Sequence, residues 1–379
     1  MKLTVTQSAL SRALGFVSKA ISSKSPLPVL QNVLLETNGQ QLRLAGTNRD
    51  LSMQYWICAD VDDPGSVTLP FRLLAELTNS LPDEDIKMDL IERSITMRLV
   101  CAGTKSNIKG TRGDEFPLLP SIGDTVAAYV VPVIGVDTID ASQLATAIKQ
   151  ATFAASTEQT RLTLTGINLE FTDGEMSLAA TDGYRMSQAV IVDSSSKAAG
   201  QVLIPATSMI EVGRLCSMAT GELSVKFTEN AAMFGTDIDD AERAEVSTSL
   251  IDAKFPDYKS TIPKAHNTLV EVNRAAFRNA VKVAQLFARD YADRITIDIT
   301  DNALALTATS AETGDNQTTI ECHTEGSPLS TCLNGRYLLN YLDSIDAESI
   351  TMKFTKPERP VVFEYGHYIH VIMPMATLK

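Results

Sequence analysis

Five cysteines and four histidines are spread thinly over the 379 residues, and that scarcity removes several classes of site. Cys58, Cys101, Cys216, Cys322 and Cys332 are odd in number and form no CxxC pair, which argues against a disulfide framework and suits a reducing cytosol. Cys322, His323 and Cys332 lack a fourth ligand at zinc-type spacing. His367 and His370 stand three apart in the strand-like stretch YGHYIHVIM, where odd spacing sends side chains to opposite faces. No metal site is expected. The chain has no GxxxxGK loop followed by Ser or Thr and no GxGxxG, so no nucleotide cradle and no cofactor are expected. No GxSxG elbow positions a nucleophile, and the chain is read as a protein other than an enzyme. A hydrolase or transferase with an unfamiliar site has the least support, because no acid/base or nucleophile constellation stands out. No apolar run approaches the roughly 20 residues that cross a bilayer, and MKLTVTQSALSRAL carries neither an apolar signal core nor a cleavage site. No membrane contact and a cytoplasmic location are expected.

What the chain does have is one pattern three times over. Helix openings read VTQSALSRALGFV from Val5, IDASQLATAIKQA from Ile139 and VNRAAFRNAVKVA from Val272, with Thr6, Asp140 and Asn273 in the N-cap place. Apolar positions superpose as Leu10, Leu144 and Phe277, then Leu14, Ile148 and Val281, the i, i+4 spacing of a helix that buries one face. Hairpin signals follow in LETNGQQLRLAGTN, LEFTDGEMSLAATD and IDITDNALALTATS. Asn38-Gly39, Asp173-Gly174 and Asp301-Asn302 are read as the turns, the first loop one residue longer than the others. A second helix is expected near Pro70, Pro205 and Asn334, since proline is favoured at a helix start. Alternating segments such as IKMDLIERSITMRLV, LSVKFTENAAMFG and ITMKFTKPERPVVFEY complete each unit with strands. A repeat of this length is a domain and not a solenoid module, whose period is about 20 to 50 residues. The fold class is α+β, and the expected domains are residues 1–125, 126–261 and 262–379.

A formal net charge of −13 argues against nucleic acid until its distribution is considered. Residues 2–24 carry Lys2, Arg12, Lys19 and Lys24 with no acid, and residues 272–289 carry Arg274, Arg278, Lys282 and Arg289 with none. These stretches hold +8, so the rest of the chain stands at −21. On a helix advancing about 100° per residue the second set falls within an arc of about 80°. A charged helix face is ordinarily just a solvated one, but a basic lining on an acidic body draws a polyanion to one surface and repels it elsewhere. Repeat two is thinner: Lys149 is alone in its first helix, and Thr207 stands where repeats one and three have Arg72 and Arg336. Asp182, in Thr181-Asp182-Gly183-Tyr184-Arg185, reads as a turn former and not a base.

Motifs in the same order run the length of the chain: MKLTV at the start, SPLPVLQNVLLE ending at Glu36, AATDGYRM from Ala179 to Met186, DAKFPDY from Asp252 to Tyr258, and VIMPM from Val371 to Met375. Together with the three repeats they resemble the bacterial sliding clamps, the beta subunit of the replicative DNA polymerase III holoenzyme. The resemblance implies three tandem similar domains, each with two helices and antiparallel sheets. It further implies that two chains join head to tail as a homodimer, closing a six-domain ring whose helices line a hole for double-stranded DNA. Expected partners are the polymerase III catalytic subunit, the clamp loader and other proteins with clamp-binding peptides. Arg12, Lys19, Lys24, Arg72, Lys149, Arg274, Arg278, Lys282 and Arg336 are the expected DNA contacts. Carried over from the family, the peptide pocket would comprise Leu164, Thr181, Gly183, Tyr184, Arg185, Met186, Pro256, Asn334 and Tyr337, with Val371, Ile372, Met373, Pro374 and Met375.

The chain also departs from that pattern. Leu162 and Thr163 stand where some members have aromatic residues, a basic residue near Thr207 is absent, and the end reads MPMATLK. The stretch from 121 to 136, SIGDTVAAYVVPVIGV, is longer than the usual connection. An alternative reading is a clamp-like peptide-binding scaffold that no longer encircles DNA.

Overall fold

The computed structural model describes all residues except 23, 24, 26, 123–133, 135, 173, 193–197, 290, 291, 313 and 377–379. Six α-helices occur among the described residues: α1 (Gln7–Val17), α2 (Phe71–Ser80), α3 (Ala141–Ala151), α4 (Ala206–Cys216), α5 (Arg274–Ala288) and α6 (Gly335–Ser344). They fall two to a repeat. Thr6 caps α1 by accepting from the Ala9 amide, Asp140 caps α3 by accepting from Gln143, and Asn273 caps α5 by accepting from Ala276. Leu10, Leu14, Leu144, Ile148, Phe277 and Val281 are all buried, so the i, i+4 stripe is the packing face of each first helix.

The three repeats assemble into two compact units, Met1–Ala145 with Ile210–Leu250, and Thr146–Met209 with Ile251–Lys379. In the first, a nine-stranded antiparallel sheet runs Thr111–Arg112, Ser66–Pro70, Asn32–Asn38, Gln41–Thr47, Leu51–Cys58, Arg243–Ser249, Ala231–Asp237, Glu222–Phe227, Thr138–Asp140. A five-stranded sheet runs Asp60–Asp63, Lys2–Thr6, Asp85–Ile91, Thr96–Cys101, Thr104–Lys109. In the second unit a nine-stranded sheet runs Gly200–Pro205, Gly166–Thr172, Glu175–Thr181, Arg185–Val192, Tyr368–Ile372, Val361–Tyr365, Ser349–Phe354, Thr268–Asn273, His323–Gly326. Its four-stranded sheet runs Gly314–Glu321, Ala303–Ser310, Arg294–Ile299, Leu329–Asn334. Each long sheet joins strands of two repeats. Leu51 to Trp56 pair with Thr248 to Arg243, and Arg185 to Ala189 pair with Ile372 to Tyr368. The central repeat is divided because a strand at the edge of one repeat satisfies its backbone groups on the next.

Two local readings are corrected. The first hairpin loop is not longer: Asn38 pairs with Gln41 and Thr172 with Glu175, so the turn is Gly39-Gln40, one residue after the position read from sequence. Gly39 takes φ +58, whereas neither Asp301 nor Asn302 has positive φ in the third turn. The second helices do begin near Pro70, Pro205 and Asn334, each starting at the next residue, while Pro70 and Pro205 also end the preceding strands.

Of the long connection, Pro120 and Ser121 are tied down by Gln54 and Glu245: the Gln54 amide donates to the Pro120 carbonyl at 2.9 Å, and the Ser121 hydroxyl to Glu245 at 3.1 Å. Ile134 is buried and bridges to Phe227; the rest of that stretch lies mainly outside the described residues.

The capping geometry yields an expectation. Asn273→Ala leaves the Ala276 amide without its acceptor and is expected to cost about 1 kcal/mol in urea denaturation, with an unchanged m-value.

Candidate functional site

In the second unit, the turn between strands Glu175–Thr181 and Arg185–Val192 is fastened by its own side chains. Asp182 Oδ1 accepts from the amides of Tyr184 (2.9 Å) and Arg185 (3.0 Å). The Thr181 hydroxyl donates to the Arg185 carbonyl (2.6 Å) and accepts from the Gly183 amide (3.1 Å). Gly183 sits at φ +92, a conformation that a Cβ disfavours. Asp182 is thus a turn former, as its context suggested.

Arg185 knots this turn to its surroundings. Its Nε donates to Asp182 Oδ2 (3.0 Å), Nη1 to Asn340 Oδ1 on α6 (2.7 Å), and Nη2 to the Phe153 carbonyl. Its guanidinium lies 4.2 Å from the Tyr337 ring centroid and 5.3 Å from that of Phe153, so a largely buried charge is met by hydrogen-bond acceptors and by two π-systems. Burial raises the Tyr337 hydroxyl pKa, with Asp182 adding to the effect.

Beside the turn lies a cavity of about 290 Å³ lined by Leu164, Thr181, Gly183, Tyr184, Arg185, Met186, Pro256, Asp257, Tyr258, Thr261, Val371 and Met373. Met186 and Val371 face each other across the strand pair and belong, with Phe255 and Tyr258, to a buried apolar cluster. Tyr184 and Met373 are exposed at the mouth, and the Met373 amide donates to the Tyr184 carbonyl at 2.8 Å, so the chain end extends the pairing past the turn.

Nine of the fourteen residues carried over from the family line this cavity, and five do not. Asn334 caps α6, accepting from the Tyr337 amide and donating to the Ala292 carbonyl. Tyr337 lies under Arg185, and Ile372 is buried in the sheet. Met375 donates its amide to the Cys332 carbonyl, and Pro374 is half-buried. Asp257, Tyr258 and Thr261 also line the cavity and are not among the expected pocket residues, although the DAKFPDY motif contains two of them.

The first unit contains the same turn with different walls. Asn48 Oδ1 accepts from the amides of Asp50 and Leu51, the Thr47 hydroxyl donates to the Leu51 carbonyl, and Arg49 holds φ +86 where the other turn has Gly183. Ser52 and Ser247 are paired across the strands where the second unit has Met186 and Val371. Apolar walls are therefore particular to the second unit's turn.

The basic residues are less free than their count suggested. In the first unit Arg12 is bound to Glu242, which also accepts from the Tyr55 hydroxyl at 2.7 Å. Arg72 pairs with Glu76, Lys19 is exposed, and Lys24 lies outside the described residues. In the second unit Arg274 donates to the carbonyls of Leu342 and Ala347 at the end of α6, a place that favours a cation. Arg278 pairs with Asp343 at 2.6 Å. Lys149, Arg274, Arg278, Asp343 and Asp346 line one open depression. Lys149, Lys282 and Arg336 are exposed and, among the described residues, without an ion pair. Asp343, in the last turn of α6, and Asp346, just beyond it, lie far from α5 in sequence, and the fold brings them within ion-pair distance of Arg278 and Arg274.

Comparison with known proteins gives this architecture a family. Residues 1–120, 138–257 and 259–376 match, in order, the N-terminal, central and C-terminal domains of the DNA polymerase III beta subunit. The chain is 27% identical over 369 residues to the beta sliding clamp of Synechococcus elongatus, covering 96% of this chain and 95% of that one. It is 24% identical over 390 residues to that of Staphylococcus epidermidis, covering all of both. It shares its fold with the crystal structure of the DNA polymerase sliding clamp from Bacillus subtilis, at TM-score 0.90 and 23% identity over the full length of both chains. The chain belongs to the DNA polymerase III beta subunit family, the bacterial sliding clamps.

Two outcomes follow from the Arg185 knot. Arg185→Ala strands Asp182 and Asn340 in a largely buried site and is expected to destabilise by about 3–5 kcal/mol; Arg185→Lys, which keeps charge but not the planar fork, should recover only part of this in the same denaturation series. His370 is fully buried, 2.7 Å from the Ser187 hydroxyl. Burial, reinforced by the Arg185 charge, pushes its pKa down to about 3. Between that value and the unfolded value of about 6.5, the unfolded chain binds a proton that the native one does not. Stability therefore falls as pH drops below about 6.5, by about 1.4 kcal/mol per unit. Comparing wild type with His370→Phe between about pH 6.5 and 5 should show that slope only where His370 is present.

Proposed function

We propose that the protein is a non-catalytic, cytoplasmic DNA sliding clamp and processivity factor. Two copies close head to tail around double-stranded DNA, and the cavity beside Gly183 receives peptides of the replicative polymerase, the clamp loader and other partners. The observation that carries this reading is the end-to-end succession of the three beta-subunit domains. In this reading the domains follow the boundaries expected from sequence, near 125 and 261. No helix among the described residues is long and apolar enough to cross a membrane.

Ring closure is supported by two sheet edges of opposite charge, each without a further strand beside it among the described residues. Thr104–Lys109 ends the five-stranded sheet and carries Lys105 and Lys109; Gly314–Glu321 ends the four-stranded sheet and carries Asp315 and Glu321. Such edges invite pairing with another chain, and a two-fold ring consumes both. Val283 and Leu286 stand exposed on α5, which packs against Gly314–Glu321, so apolar area adjoins that edge. Lys19, Lys24, Lys149, Lys282 and Arg336 are the cations proposed to meet the DNA backbone, with Arg12, Arg72, Arg274 and Arg278 sharing their charge with neighbouring acids. Contacts to backbone alone carry no sequence information, which permits sliding.

Clamp loaded on circular DNA should remain bound and should run off once the circle is cut; equal retention on both forms at matched salt overturns the sliding mechanism. Failure to be retained on circles even with a loader, while peptide capture persists, would instead select the scaffold reading, which the paired arginines favour. Leu286→Asp is expected to raise the dimer dissociation constant by about tenfold or more in sedimentation. Met373→Ala should weaken capture of a clamp-binding peptide, and Met375→Ala should leave it nearly unchanged, because only Met373 lines the cavity.

A further inference from the structure

The cavity beside Gly183 has apolar walls and one unspent charge. Leu164, Met186, Pro256, Val371 and Met373 supply apolar surface. Arg185 also lines it, yet its side chain is 10% exposed, each of its three nitrogens already donates a hydrogen bond, and Asp182 offsets its charge. Asp257 is the other charged residue of the lining; it is exposed, and no ion pair or side-chain hydrogen bond engages its carboxylate among the described residues. Lys259, two residues on, pairs with Glu170 at 2.7 Å and is attracted to Asp257 only more weakly. Arg161 is a cation on the Gly183 side with no ion pair among the described residues, its Nη1 3.9 Å from where a Gly183 Cβ would lie, but it is not part of the lining.

A peptide seated on such walls removes water from around Asp257, and a carboxylate in partly dried surroundings interacts more strongly with whatever charge is brought beside it. Like charge is then penalised and opposite charge rewarded, the usual basis of selectivity at an interface rim. Resting on the peptide-pocket reading above, we infer that this pocket selects an apolar peptide segment flanked by lysine or arginine and rejects the same segment flanked by an acid, with Asp257 as the discriminating residue.

The test uses the full-length protein and fluorescent synthetic peptides sharing one leucine- and phenylalanine-rich segment, with lysine or glutamate placed at each end in turn. At one end the lysine probe should bind about two- to fivefold more tightly than the glutamate probe at low salt. The preference should shrink as salt is raised, vanish in Asp257→Asn and reverse in Asp257→Lys. No preference at either end, a preference for glutamate at both, or a preference unchanged in Asp257→Asn overturns the inference. Met373→Ala separates the two levels: probes that bind it as tightly as wild type, or that bind neither protein, remove the pocket reading and this inference with it. Binding that weakens in Met373→Ala but shows no charge preference removes this inference alone.

Discussion

Pairing of strand edges from successive repeats is the interaction on which the rest of the molecule depends. Leu51 to Trp56 meet Thr248 to Arg243, and Arg185 to Ala189 meet Ile372 to Tyr368. Each junction converts two exposed edges into the middle of a nine-stranded sheet, satisfying backbone groups that would otherwise seek another chain. The second junction does more, because it sets Met186 opposite Val371 and carries the chain end on to the Tyr184 carbonyl. A site that no single repeat contains is created by a register.

The two junctions also separate architecture from function. Both hold the same turn, with an Asx side chain accepting two amides and a residue near φ +90 at its apex. One is flanked by serines, the other by Met186 and Val371, with an arginine within cation–π distance of two aromatic rings beside it. The two turns share a backbone conformation, while of the two only the second has apolar residues paired across its strands.

Much of this was legible beforehand. Caps at Thr6, Asp140 and Asn273 and the paired apolar positions of the first helices are local signals, and local signals survive folding intact. So did the Asp182 turn. The differences share a cause: the turn at Gly39-Gln40 is set by a strand register, and the charge of Arg274 and Arg278 is met by Asp346 and Asp343 at the end of α6, neither of which is visible in local sequence. Asn334 and Tyr337 came with the family resemblance, yet here one caps a helix and the other supports Arg185.

By itself the sequence determined that three similar α+β repeats exist, where their helices begin and which faces they bury, because each of those properties is written in residues close together in the chain; the family was legible from short motifs in a fixed order along it. Only the tertiary structure decided that the repeats share their sheets, that Asp257 and Thr261 join Met186 and Val371 around one cavity, and that several arginines are already occupied. Those outcomes depend on groups far apart in sequence meeting within hydrogen-bonding or ion-pair distance, and periodicity along a chain carries no record of such meetings.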